Sequence, residues 1–392
     1  MANKTKAKKN SIFLTGKFDY SILIITLLLL SIGLIMLLSA SAPTSFAESE
    51  NSYTYVVKQG GIALLGLAFM FGLSILDYRF YKRFKWIIYF LCLVLLVLVG
   101  IFGTGENGAR RWINIGFSFQ PSEFAKLGLI IFFAAFLSDM RENNRIKKAF
   151  PGFIVPIFFY LIIAAVLFFM QNHLSSAIII GMIIIIQMFV AGSAIVSDPK
   201  WLLPIITVAV FGVGCVINMA LAPADENTNF RFTRIRTWLK LDEADLTGSA
   251  WQITQSLYAI GSGGLFGLGL GNSKQKYLYL PYPQNDFIFA VLAEELGFIG
   301  AIFVIMLFAL FVWRGIVVAI KSDDMFGSLI AIGITTMIGL QALINIAVVT
   351  NTIPVTGMPL PFFSYGGSAM LADLMAVGVL LSISRNGKKD KI

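Results

Sequence analysis

The chain has 392 residues, 57% of them hydrophobic and 13% charged, with a mean hydropathy of +0.82. Soluble domains carry about 25% charged residues, so this composition excludes a soluble globular protein and requires a polytopic membrane protein. The net charge of +9 is better assigned to basic residues at membrane edges than to a nucleic-acid surface. A single histidine, His173, excludes a multi-histidine metal site, and Cys92 and Cys215 both fall inside apolar runs, which implies no disulfide.

A membrane-crossing helix needs about 20 mostly apolar residues, and ten segments meet that need, giving an all-α protein of about ten transmembrane helices. They centre on 20–40, 56–76, 86–102, 122–139, 152–170, 174–191, 201–221, 286–313, 328–349 and 366–384. The first is too long for the apolar core of a signal peptide and reads as a retained span. Residues 1–19 form a basic leader, 20–384 the transmembrane domain and 385–392 a basic tail. With the N-terminus in the cytoplasm, most of the 30 lysines and arginines fall on inner segments. The positive-inside rule therefore places both termini in the cytoplasm. That topology leaves one long extracellular loop, 222–285, between spans seven and eight. It carries Arg231, Arg234, Arg236, Lys240, Lys274 and Lys276, which suit an anionic partner, although five carboxylates between Asp225 and Asp245 could simply balance them.

Three stretches converge on the same face. In GARRWINIGFSFQPSEFAK (108–126), Pro121 suits the first position of a helix and Glu123 its first turn. Glu123 and Lys126 are three apart and can pair, which is commonly structural; Arg110 and Arg111 form a cationic rim that would suit a lipid phosphate. The run GSGGLFGLGLG (261–271) lacks the ending of a nucleotide loop and reads as a close-packed or re-entrant segment. In TNTIPVTGMPLPFFSYGGS (350–368), prolines and glycines shape a stiff loop that offers Ser364 and Tyr365 near the membrane surface. Polar residues inside spans, namely Gln187, Asn218, Gln341, Asn345 and Asp373, read as interhelical hydrogen-bonding positions. Asp373, as an intramembrane acid, could instead serve a proton path.

The stretch YLYLPYPQNDFIFAVLAEELGFIG (277–300) places Asp286 where an external loop enters a span. Glu294 would lie about 12 Å below it on a continuous helix, too far for a two-carboxylate hydrolase. One base with nearby cations fits a different reaction, in which positive charge stabilises a diphosphate leaving group and only the incoming hydroxyl needs a base. A helix N-cap explains Asp286 equally well from its chemistry alone. Burial would raise its pKa, whereas cations and a helix N-terminus would lower it.

LLSAS (37–41), RRWINIGFSFQPSEFAK, QITQSLYAIGSGGLFGLGLG, LPYPQNDFIFAVLAEELG and PLPFFSYGGS occur in the order found in SEDS proteins (shape, elongation, division and sporulation). The chain resembles that family, which comprises FtsW, RodA and SpoVE, and TGMPLPFFSYGG sets it nearer to FtsW and SpoVE. The resemblance implies a peptidoglycan glycosyltransferase that polymerises lipid II on the outer face of the bacterial cytoplasmic membrane for division or sporulation. It implies a class B penicillin-binding protein as partner, alongside other division or elongation membrane proteins. It makes Asp286 the catalytic base and assigns Arg110, Arg111, Glu123 and Lys126 to the substrate site. Arg231, Arg234, Lys274, Lys276, Ser364 and Tyr365 join that site as candidate contacts to the lipid diphosphate or sugars. The resemblance fixes no cofactor and leaves open a divalent cation (Mg or Mn) at the diphosphate. Two departures stand out: Gln284-Asn285 precedes the aspartate, and Gln171-Asn172-His173-Leu174-Ser175 replaces the Gln-Pro-Asp-Leu-Gly turn of many members. A lipid II flippase and a non-enzymatic scaffold for the penicillin-binding protein are the alternative readings.

Overall fold

A computed structural model describes residues 16–105, 110–114, 118–148, 150–197, 200, 230–239, 241 and 248–385. The helices are α1 (Tyr20–Ser49), α2 (Thr54–Ile75), α3 (Arg79–Arg83), α4 (Lys85–Phe102), α5 (Pro121–Glu142), α6 (Val155–Ala165), α7 (Leu174–Ala191) and α8 (Ala194–Ser197). They continue with α9 (Phe230–Leu239), α10 (Gly248–Gly263), α11 (Ile288–Lys321), α12 (Met325–Val349) and α13 (Gly367–Arg385). π-Helical turns at Phe150–Ile154 and Val166–Met170 extend α6 at both ends. Between α4 and α5 a two-stranded antiparallel hairpin pairs β1 (Ile113–Asn114) with β2 (Ser118–Phe119). Among the described residues, eight helical segments are long and apolar enough to cross a membrane. They coincide with eight of the ten segments expected from the sequence, and α5 coincides with a ninth; segment 201–221 lies outside the described residues.

α5 carries charge at both of its ends, yet it is the centre of the bundle. Its stretch from Ala125 to Ser138 is buried except at Gly128, packed against α4, α7, α12 and α13. α2, α4 and α6 instead show large apolar side chains such as Leu64, Phe90 and Phe158 on the outside, as lipid-facing helices do. Interhelical amides fasten the core as their positions suggested. Gln187 Nε2 donates to the carbonyls of Ile130 and Leu329 (3.1 and 3.0 Å), and Asn345 Nδ2 donates to those of Asp286 and Met358 (2.7 and 2.8 Å).

The two ends of the bundle differ in how they use charge. At one end, residues of the basic segments are paired: Arg79 with Asp324 (2.7 Å), Lys82 with Glu142 (2.7 Å), Lys85 with Asp139, and Arg314 with Asp19. Both chain ends meet here, since Asp19 N donates to Ser384 Oγ (3.0 Å) and Arg385 to the carbonyl of Gly16 (3.0 Å). At the other end, α5, α7, α11 and α13 all begin. Gln120 N donates to Ser368 Oγ (2.9 Å), Ser175 Oγ to the Thr356 carbonyl (2.9 Å) and Tyr365 N to the Gln284 carbonyl (2.8 Å).

α11 is broken at Gly297, whose φ of 67° and ψ of −171° belong to a region that only glycine occupies readily. The glycine run fills the break. Leu268 N and Gly269 N donate to the carbonyls of Glu294 and Glu295 (3.0 Å each), while Phe298 N donates to Gly264 O (2.9 Å). The backbone groups freed by the kink are thus satisfied, as a low-dielectric interior requires. The expected close-packed segment is confirmed, whereas the continuous helix is corrected to two halves. A Cβ on Gly297 would overlap Gly267 N, and one on Gly267 would overlap Glu295 O. Gly297→Ala and Gly267→Ala should each destabilise the protein by about 3 kcal/mol or more, from backbone strain together with the clash. Gly61→Ala, where the new methyl meets nothing within 4 Å, should be neutral; thermal unfolding in detergent compares the three.

Candidate active site

Asp286 sits in the turn just ahead of α11, half-buried. Asn345 holds its carbonyl, and the loop between α12 and α13 passes directly over its carboxylate: a Cβ on Gly357 would stand 3.6 Å from Oδ2. Two guanidinium groups act on the carboxylate, Arg234 from α9 and Arg111 from the strand-side loop. Arg234 Nη1 donates to the Val355 carbonyl (3.2 Å) and Arg111 Nη2 to that of Asn172 (2.7 Å). Each is therefore aimed by a backbone acceptor on a different loop. Burial outweighs both cations and pushes the Asp286 carboxyl up to about 6. The N-cap reading does not hold, because α11 has no side-chain cap and its N-cap position is Phe287.

Beneath this lies a second charged layer. Lys126 and Glu123 form a buried ion pair at 2.6 Å, and Asp373 of α13 lies within electrostatic range of both. His173, at the head of α7, feels Arg111 and Lys126. Burial and these cations hold its imidazole well below the usual histidine range, so the ring is neutral at physiological pH. The N-termini of four helices point toward this end, adding positive potential. The result is a set of three cationic side chains, Arg111, Arg234 and Lys126, around Asp286 and His173, a chemistry suited to an anion.

The expected site residues divide accordingly. Asp286, Arg111 and Arg234 are brought together, while Glu123 and Lys126 pair with each other and are linked to that group through His173, which feels both Arg111 and Lys126. Arg110 caps the end of α4, donating to the Gly100 carbonyl (3.2 Å). Lys276, expected beside Asp286, is committed elsewhere: its Nζ binds Glu295 (2.9 Å), Ser39 Oγ (2.9 Å) and the Gly271 carbonyl (2.6 Å). Lys274 has an exposed side chain, and its N–H donates to Glu294 (3.0 Å). Neither lysine is among the charges that act on Asp286. Ser364 Oγ is used internally, accepting from Leu360 N (2.8 Å). Tyr365 packs edge-on to Tyr55 with ring centroids 4.7 Å apart. The side chain of Arg231 lies outside the described residues. Asp373 and His173 were not assigned to the site from sequence, since their place in it depends on contacts across the bundle; the acid inside a span was the available signal for one, the altered turn for the other. Among the described residues no three His, Cys, Asp or Glu side chains gather as a cation site would need. A divalent cation accompanying a diphosphate would draw ligands largely from the diphosphate itself.

A predominantly helical membrane bundle that gathers the Asp286 carboxylate with cations where four helices begin defines a polytopic membrane protein with a charged cluster at one end. The family model described as "Cell cycle protein", covering FtsW, RodA and SpoVE, matches residues 20–389, and the chain belongs to this family. Stage V sporulation protein E of Bacillus subtilis (strain 168) is 44% identical over 370 residues, which cover 94% of this chain and 97% of that protein. A protein of Trichlorobacter lovleyi named probable peptidoglycan glycosyltransferase FtsW is 37% identical over 375 residues, covering 95% and 94%. Among solved structures, a chain from a peptidoglycan synthase complex that coordinates polymerization and crosslinking superposes with a TM-score of 0.77 at 26% identity, covering 94% of this chain and 98% of that one. The rod shape determining protein RodA of Thermus thermophilus gives 0.67 at 26% identity, covering 95% and 98%.

Removing one partner of a buried ion pair leaves an uncompensated charge and costs about 3–5 kcal/mol, whereas removing both can be nearly neutral. Lys126→Met should therefore lower thermal stability much more than the double change Glu123→Gln with Lys126→Met. A double-mutant cycle should return a coupling of more than about 1 kcal/mol, and additive effects would show that the pair does not act as one unit.

Proposed function

We propose that this chain is a peptidoglycan glycosyltransferase that polymerises lipid II, with Asp286 as its general base. The observation that carries this reading is the placement of Asp286 between Arg111 and Arg234, with its carboxyl raised to about 6. A base of that pKa is ionised at neutral pH yet stronger than an ordinary carboxylate. The hydroxyl of the incoming sugar attacks the anomeric carbon of the donor, and its proton passes to Asp286. The bond from that carbon to the diphosphate breaks with its electron pair on the departing lipid diphosphate. Arg111, Arg234, Lys126 and the helix N-termini supply the positive potential that a leaving group of this charge needs. The names of the FtsW relatives support the same reaction class.

The positive-inside rule puts the paired basic end in the cytoplasm and Asp286 on the outer face of the bacterial cytoplasmic membrane, where the growing wall lies. A class B penicillin-binding protein is the proposed partner, supported by the match to a synthase complex that couples polymerization to crosslinking. A flippase could draw on Asp373 and Glu294 as intramembrane acids, but the Glu294 carboxylate is occupied by Ser273 Oγ (2.5 Å) and by the N–H groups of Lys274 and Gln275.

Purified protein with its partner should convert lipid II into glycan chains, and Asp286→Asn should reduce that rate at least about 100-fold. Since only the ionised base works, kcat/KM should be flat above pH about 6 and fall about tenfold per pH unit below it. Polymer made at a normal rate by the Asn variant would remove the assignment.

A further inference from the structure

His173 is the one histidine of the chain and is almost wholly buried, with 3% of its surface exposed. Its Nε2 lies 3.0 Å from Ser176 Oγ, and its Nδ1 has no hydrogen-bond partner. A buried imidazole nitrogen left unpaired costs about 1–3 kcal/mol, and such an atom calls for an explanation. The turn that presents it is itself constrained. Asn172 adopts a positive φ of 52°, the Asn172 carbonyl is held by Arg111, Gln171 Nε2 donates to the Leu96 carbonyl (2.7 Å), and His173 N donates to that of Leu167 across the π-helical turn (2.8 Å). The fold thus takes several contacts to place a side chain that satisfies only one of its two ring nitrogens.

The charges that face the ring are Arg111, from the loop ahead of β1, and Lys126, from α5; no carboxylate is among those that act on it. Glu123 partners Lys126, Asp373 on α13 lies near that pair, and Asp286 shares Arg111 with the ring. On α7 itself, His173 occupies the N-cap position, so the positive end of that helix adds to the two cations. This is a poor setting for an imidazolium and a good one for a neutral N–H beside an anion.

We infer that His173 is a ligand-binding residue that, together with Arg111 and Lys126, donates a hydrogen bond through Nδ1 to a phosphate oxygen of a lipid diphosphate. This rests on the proposed reaction for the identity of the ligand, but not for the existence of the anion subsite. The imidazole contributes specificity without charge when no anion is bound. Once a diphosphate lies between the two cations their field on the ring is compensated, so the ring gains a hydrogen bond and a higher proton affinity. His173 is then a positioning residue for the leaving group and not a second acid or base.

Because there is one histidine, protein labelled with 15N-histidine and purified through a histidine-free tag gives ring-nitrogen signals from His173 alone. At neutral pH the free protein should show a neutral ring. Farnesyl diphosphate should shift the Nδ1 resonance saturably, and farnesyl monophosphate or inorganic diphosphate should do so only at concentrations about tenfold or more higher. An unshifted ring at saturating farnesyl diphosphate would overturn the inference; a response to inorganic diphosphate as strong as to the lipid would overturn the lipid assignment. In the polymerisation assay, His173→Gln should raise KM for lipid II and lower kcat/KM about tenfold or more, as loss of a hydrogen bond to a charged group predicts, with the acidic limb staying near pH 6. A purely structural histidine would lower thermal stability and leave both KM and the ring response unaffected. A ring that responds in a protein unable to polymerise would uphold the subsite while refuting the proposed reaction, whereas an active polymerase with a silent ring would refute the subsite alone.

Discussion

A carboxylate surrounded by protein tends toward its neutral form, and two guanidinium groups oppose that tendency at Asp286. The balance leaves the acid near pH 6, ionised in use but held at a cost. Neither arginine could be placed by local sequence. Arg111 is aimed by the Asn172 carbonyl and Arg234 by that of Val355, so the loop before α5, the turn before α7 and the loop after α12 must all be in position together. Asn345 completes the arrangement by fixing the backbone of Asp286 to that of Met358.

The second anchor is the break in α11. Glu294 and Glu295, buried on the upper half-helix, bind the 273–276 segment, and Lys276 returns to Glu295 and to Ser39 on α1. A buried ion pair contributes little net stability once desolvation is counted. What it fixes here is geometry, because the Glu295 carboxylate gathers Lys276, the Ser39 hydroxyl and the Ser273 N–H at one point. The glycine run closes the kink from the other side, and the half-helix that begins just after Asp286 is thereby held at one height and one rotation.

Composition made the helical membrane architecture legible, since apolar runs of span length have few other uses. Asp286 was legible because a carboxylate at a loop-to-span junction is costly, and the motifs around it resemble those of SEDS proteins. Arg111 and Arg234 were among the cations expected at the site, but which cations act on Asp286 was not legible. Lys274 and Lys276 are near in sequence but are drawn away by Glu294 and Glu295, while Arg111 and Arg234 reach Asp286 across the bundle. Gly297 gave no warning of a break, because glycines are ordinary in membrane helices and the flanking residues stay apolar. α5 was placed as a span by its apolar middle, and its centrality follows from packing that no local pattern encodes.

The central claim is that Asp286 is an ionised base with an elevated pKa, governed by Arg111 and Arg234. Infrared difference spectroscopy of the carboxyl stretch, comparing the protein with Asp286→Asn over a pH series, isolates that one acid. A carboxyl band that titrates near pH 6, and at higher pH in Arg234→Gln, is the expected result. A band that titrates near the ordinary aspartate value of about 3.9, and does not move when Arg234 is replaced, would contradict the account.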